Sequence, residues 1–250
     1  MMTLLKSGAF TGRSARPAVF ALVAVMLLTL TGCLYPKDKL MDVPPKEAVR
    51  NVQAAIDQYF AEKSLLPIVN SSQEVSKYEK YKINFQKLTS TGYLSSIPTA
   101  AFENGGNYYF IIIDEETDPR VKLMDIVTFQ KINDIQNWVK LHMAEGGALP
   151  KKEAMYPGFY AVDYEAMNKK APVIKSVYSG GTLSALVDDK GQVYTDYGLD
   201  IMQLIQKNGT AELEKDADLR ALLVDSADFV PVKAPEYRLV DGEPVAIAAK

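Results

Sequence analysis

The lone cysteine is the residue whose setting most clearly implies chemistry. Cys33 is the single cysteine in 250 residues, and it closes the run Leu30-Thr31-Gly32-Cys33. A large aliphatic residue, two small ones that fit a peptidase groove and a cysteine form a lipobox, in which the thiol takes a diacylglyceryl group. A lone cysteine in an exported chain has no internal disulfide partner, so it calls for a separate use. His142 is the single histidine and sits beside an apolar helical stripe, where it reads as a boundary residue. No Gly-x-Ser-x-Gly occurs to seat a nucleophile. One histidine and one lipidated cysteine give no zinc ligand set. We expect no metal, no cofactor and no catalytic residue.

Carboxylates crowd two places, Asp114, Glu115, Glu116 and Asp118 in one, Asp188, Asp189, Asp196 and Asp200 in the other. Neither has the spaced acidic loop of a calcium site, and solvated hairpin turns account for both. A glycosidase pair has no positive support, although two carboxylates can converge from anywhere in a fold. The glycine pairs Gly105-Gly106 and Gly180-Gly181 suit bends or bulges. Among many tyrosines, Tyr93, Tyr108, Tyr109, Tyr160 and Tyr164 are the candidate recognition surface, because aromatics offer contact area with a polar tip. Packing within strands is the competing use for each.

The segment ahead of Cys33 is ordered as a secretory signal. Lys6, Arg13 and Arg16 are the only charges before residue 37, and the run from Ala18 to Leu30 carries none. That run is shorter than the ~20 residues a spanning helix needs and fits a signal core of roughly 7–15. Cleavage before Cys33 removes three positive charges and no negative one, taking the net charge from −3 to −6. An acidic mature chain argues against nucleic acid as a partner. Two acyl chains on one cysteine would anchor it firmly to a membrane. Residues 33–45, with three prolines and no apolar period, read as a tether.

Laid against itself, the chain shows an internal repeat. Val52 to Pro67 meets Ile135 to Pro150 at a shift of 83, sharing Ala-Glu-x-x-x-Leu-Pro. Tyr81 to Leu88 meets Tyr160 to Met167 at 79, and Ile111 to Asp114 meets Ala185 to Asp188 at 74. The spacing of Val49, Val52, Ile56 and Phe60 predicts a helix over 46–63 behind Pro44-Pro45. Phe129, Ile132, Ile135, Val139 and Met143 predict a second, N-capped by Thr128 and stopped by Gly146-Gly147. Each is followed by an irregular connection and a hairpin, the first from Tyr108–Ile113 to Val121–Met124, the second from Thr182–Val187 to Gln192–Tyr194. The expected fold is therefore α+β: a signal peptide (1–32), a tether (33–45), two related helix-plus-antiparallel-hairpin modules (46–127 and 128–207), then a C-terminal helix and extended tail (208–250). A short helix stopped by Asn208-Gly209 and a weaker one marked by Leu213, Ala217, Leu222 and Leu223 come after the second hairpin. Beyond them Asp241-Gly242 suggests an edge hairpin in a tail that lacks clear order.

Tyr93-Leu94-Ser95-Ser96-Ile97-Pro98 and Gly105-Gly106-Asn107-Tyr108 resemble segments in the heads of type IV pilins and pseudopilins. The long apolar N-terminal helix that those subunits use to enter a filament is replaced here by a signal and a cysteine. More of the chain resembles YphF-like lipoproteins of endospore-forming Gram-positive bacteria, through Leu30 to Pro36, Leu66-Pro67, Ala101 to Gly106 and Pro235 to Arg238. That resemblance implies a protein held by diacylglyceryl lipid on Cys33 to the outer face of the cell membrane, and it supplies no reaction. The expected function is a non-catalytic interaction or scaffold protein with a protein or cell-wall partner. The alternative is a solute-binding lipoprotein of a transport system.

Overall fold

The computed structural model describes residues 46–72, 75–209 and 216–248; the signal, Cys33 and the tether lie outside them. Pro45–Lys250 forms one compact unit. Helix α1 (Lys46–Lys63) buries Val49, Val52, Ile56 and Tyr59, the last in place of the expected Phe60, which is 41% exposed. A 3-10 turn (Lys77–Glu79) leads to β1 (Tyr81–Lys82), α2 (Phe85–Ser90), a second 3-10 turn (Phe102–Asn104) and the hairpin β2 (Tyr108–Ile113) and β3 (Arg120–Asp125). The sheet order is β1-β2-β3, and an Ile68–Ile83 bridge extends it past β1. Gly105 turns the chain at φ 82°, and a Cβ on Gly106 would fall 2.1 Å from the Ala100 backbone. The glycine pair thus lets β2 start against residues 100–101, where Ala101 bridges Tyr108.

Helix α3 (Ile126–Ala144) follows β3 without a linker. Its N-cap is Asp125, not Thr128: the Asp125 carboxylate accepts from the Val127 and Thr128 amides (3.1 Å each) and from the Thr128 hydroxyl (2.6 Å). Thr128 is buried in the first turn as a donor to the cap. Ile132, Ile135 and Val139 are buried, Met143 is exposed, and Gly146 turns the chain out at φ 88°.

The expected irregular connection after this helix is instead a hairpin, β4 (Lys151–Tyr156) and β5 (Phe159–Val162), around Pro157-Gly158. Strand β4 is exposed along Lys151–Met155 and carries no apolar alternation, so periodicity gave it no signal. The strand expected over Thr182–Val187 divides into β7 (Thr182–Leu183), paired with β6 (Ile174–Lys175), and β8 (Ala185–Asp188). With β9 (Val193–Thr195) the second sheet runs β4-β5-β8-β9. After α4 (Gly198–Asn208), the weaker helix is present only around Leu222 and Leu223, as α5 (Arg220–Ser226); Ala217 lies ahead of it and Leu213 outside the described residues.

The two helix-plus-hairpin units make the same contacts. Gln53 of α1 donates to the Pro119 carbonyl (2.9 Å) and accepts from the Val121 amide (2.6 Å). Gln136 of α3 does the same to Gly191 and Val193 (2.8 Å each). The Asn84 amide donates to Pro67, and the Asp163 amide to Pro150. Ile68 pairs with Ile83, and Lys151 with Val162. The ladders also correct the alignment of the third matched segment: Tyr81 faces Ile112 and Tyr160 faces Val187, a shift of 75 rather than 74.

The tail carries the hairpin expected on Asp241-Gly242, but in the core rather than as an edge element. Strands β10 (Glu236–Val240) and β11 (Glu243–Ile247) form a hairpin that buries Tyr237 and Ala246 completely in the second core. Ahead of it, residues 228–233 form a strap along both sheets. The Leu123 amide donates to Asp228 (2.8 Å), the Val230 amide to Leu123 (3.0 Å) and the Thr195 amide to Lys233 (2.9 Å). Phe229 enters one core of the first unit, and Val230 and Val232 enter the other. Lys122 on β3 is buried and donates to the Val224 and Ala227 carbonyls (2.6 Å each), closing the C-terminus of α5.

Each glutamine clamp satisfies a strand amide that no ladder partner reaches. Replacing Gln136 by Leu is expected to cost about 2 kcal/mol, and Gln53→Leu less, because Gln53 is only half-buried. Urea unfolding of the single and double variants checks this, with near-additive losses expected for separate clamps.

Candidate functional site

The cavity that draws on most of the fold lies between the sheets and the strap. It measures about 770 Å³, in the range of small-molecule sites. Its apolar lining comes from Val75, Met124, Phe129 and Val193, and Tyr194 stands at its wall. The 3-10 turn places Glu79 there at 7% exposure, and β1 contributes Lys82. Glu79 grips the strap with both oxygens: Oε1 accepts from the Lys233 amide (3.1 Å) and Oε2 faces Lys233 Nζ (3.0 Å). Lys233 holds φ at 54°, a costly conformation for a residue with a side chain, and its ammonium lies 4.7 Å from the Phe129 ring centroid. Lys82 Nζ sits 3.8 Å over the Tyr109 ring and enters no ion pair among the described residues. With Glu79 and Lys233 neutralising each other, the cleft is left with a single positive charge on mixed apolar and aromatic walls.

The five tyrosines of the expected recognition surface each have their own contacts. Tyr93 donates to Glu62 (2.5 Å) and packs edge-on against Tyr59. Tyr108 leans on Phe229. Tyr109 packs against Phe102 and lies under the ammonium of Lys82, which lines the cleft. Tyr160 lies under Lys151 Nζ (3.8 Å), which also pairs with Asp189 (2.9 Å). Tyr164 packs on the second core, where burial pushes its hydroxyl up to about 12.

The expectation of solvated turns fails for the second acidic group: Asp188 is buried, and Asp200 is buried within α4. Asp114 holds Arg120 (2.6 Å), and Asp188 accepts from the Lys190 and Gln192 amides. Asp196 accepts from the hydroxyls of Tyr237 (2.8 Å) and Tyr156 (3.0 Å) and from the Gly198 amide (2.9 Å). Among the described residues no cluster of His, Cys, Asp or Glu could hold a metal ion. His142 lies on the α3 surface, where a Cβ on Gly147 would meet its ring. Glu79, Lys82 and Lys233 had no signal in the sequence, because 154 positions separate the two ends of the ion pair.

Removing one partner of a mostly buried pair strands the other, so Glu79→Ala is expected to cost about 3 kcal/mol, and Glu79→Gln, which keeps an acceptor for the Lys233 amide, less. Urea unfolding separates the two. A second expectation concerns alkaline pH. Burial pushes the hydroxyls of Tyr78 and Tyr194 up to about 12 and raises those of Tyr156, Tyr178, Tyr197 and Tyr237 as well. Unfolded, the same groups ionise near pH 10. Above that pH the folded state holds more protons than the unfolded one, so stability is full below it and falls as pH rises. Tyrosinate absorbance should then lag behind that of the free amino acid until circular dichroism reports unfolding. Complete titration near pH 10 with the fold intact would contradict this.

No curated protein and no solved structure matches the chain. A family match does exist: residues 45–125, the stretch carrying α1 through β3, match the model of the YphF family N-terminal domain.

Proposed function

We propose that this chain is a lipoprotein of the outer face of the cell membrane, held by diacylglyceryl lipid on Cys33, which works by binding a protein or cell-wall partner and carries out no reaction. The observation that carries this reading is the strap. Receptors that trap solutes close two lobes about a hinge. Here Leu123 of one sheet and Thr195 of the other bond to the same six residues, 228–233, which favours a rigid platform over a closing trap. The matched glutamine clamps support reading the two units as copies of one module. The likeness to pilin heads and to lipoproteins of endospore-forming bacteria belongs to the same proposal and rests on the residues quoted above.

The alternative, a solute-binding lipoprotein, draws on the size of the cleft and its single uncompensated lysine. It would have to act without lobe closure.

Cross-linking and recovery of the lipidated protein from intact cells tests the proposal. A reproducible partner is expected, and its loss with Cys33→Ala is expected as well. Cys33→Ala should also move the protein from the membrane fraction to the soluble one. A variant that stays in the membrane fraction would overturn the anchor, and failure to recover any partner would favour the solute reading.

A further inference from the structure

A second concavity, of about 290 Å³, runs along α4. Asp200, Gln203 and Lys207 line it from one helical stripe, facing Tyr178 and Ser179 of the loop before β7 and Ser226 at the end of α5.

Two groups there lack the partners that burial demands. Asp200 is 3% exposed, and its carboxylate accepts from Ser176 Oγ (2.7 Å) but enters no ion pair among the described residues. Its place in the first turn of α4 offsets part of the cost of that burial, and no cation among the described residues offsets the rest. The Tyr178 hydroxyl oxygen is buried beneath a half-exposed ring and has no hydrogen-bond partner. Farther along the wall, Lys207 is exposed and also free of any ion pair among the described residues. Seven residues separate Asp200 from Lys207, which is about 10 Å along a helix axis. The groove therefore offers a negative end, a positive end, and hydroxyl and amide groups between them.

We propose that the α4 groove binds an α-amino zwitterion, its ammonium at Asp200 and its carboxylate at Lys207. An extended chain of three residues spans about 10 Å between its ends, so a short peptide of small residues fits the charge spacing. A free amino acid carries both groups on one carbon and cannot reach the two ends together. Ser176 already orients the Asp200 carboxylate while accepting from the Tyr178 amide (3.0 Å), so the loop and the acid are positioned as one unit. The proposal concerns a groove distinct from the cleft and does not depend on the partner-binding reading.

The test is calorimetric titration of the full-length protein in detergent with trialanine, N-acetyl-trialanine, trialanine amide and alanine. Trialanine should bind, and acetylation of its amine should weaken binding by roughly tenfold or more. Asp200→Asn keeps an oxygen for the Ser176 hydroxyl and removes the charge, so it should fold and lose trialanine binding. Lys207→Ala, an exposed change, should weaken trialanine but leave the amide unaffected. Tighter binding of alanine than of trialanine would overturn the proposal, because a free amino acid cannot reach from Asp200 to Lys207. No heat from trialanine at ~10 mM, about tenfold above a millimolar Kd, would overturn it as well. So would equal binding by Asp200→Asn or by the acetylated peptide. Loss of this binding would leave partner capture from cells unchanged, so the two readings fail separately.

Discussion

Sheet edges expose unpaired amides and carbonyls, and here both sheets solve that problem with one piece of chain. The strap lies along β3 at Leu123 and reaches β9 at Thr195, which hold the same place in their respective hairpins. Pairing covers an edge that would otherwise recruit other chains. It also fixes the distance between the sheets, because the strap's valines fill a core while its backbone is bonded. Glu79 then holds the strap where it bends at Lys233. The cleft is a by-product of this geometry: its walls are the sheets, its far side is the strap, and its buried ion pair is the grip between them.

Within each unit the helix is set on its hairpin by a polar contact inside an apolar face. A glutamine amide can donate and accept at once, so it bonds to a carbonyl at the end of the turn and to an amide of the returning strand. Gln53 and Gln136 do this just beyond the hairpin turn, where the register of the returning strand is decided. In the second unit Tyr237 adds a similar device, donating to Asp196 and accepting from the Tyr197 amide, so the C-terminal hairpin is keyed into the core by one hydroxyl.

The parts legible in the sequence were those written in periodicity. Helix α1 and strand β2 have the expected bounds, since an amphipathic stripe of period near 3.6 and a β-branched run leave little choice. Strand β4 was missed because Lys151-Lys152-Glu153 lies on an exposed edge and buries nothing. The tail was underestimated because its order depends on Tyr237 and Ala246 entering a core assembled far upstream. Asp125 outcompeted Thr128 as the cap because it ends a strand and so has the extended backbone that a cap needs, with φ −70° and ψ 114°. The glutamines were visible at matched positions, but their partners lie more than fifty residues away. The cleft was illegible for the same reason: Glu79, Phe129 and Lys233 carry no mutual spacing that local chemistry imposes.

The strap follows both sheets along the chain, which has a consequence for how the molecule is made. A chain emerging from its N-terminus can complete the hairpin of β2 and β3 long before residues 228–233 exist. Until they arrive, β3 presents an open edge, and the contact that closes it spans more than a hundred residues. Contacts of such long range form late, and half-built sheets with bare edges are the species most prone to stick to one another. The strap is therefore the late closing piece: a chain cut short of it would keep the hairpin of β2 and β3 yet leave the β3 and β9 edges open.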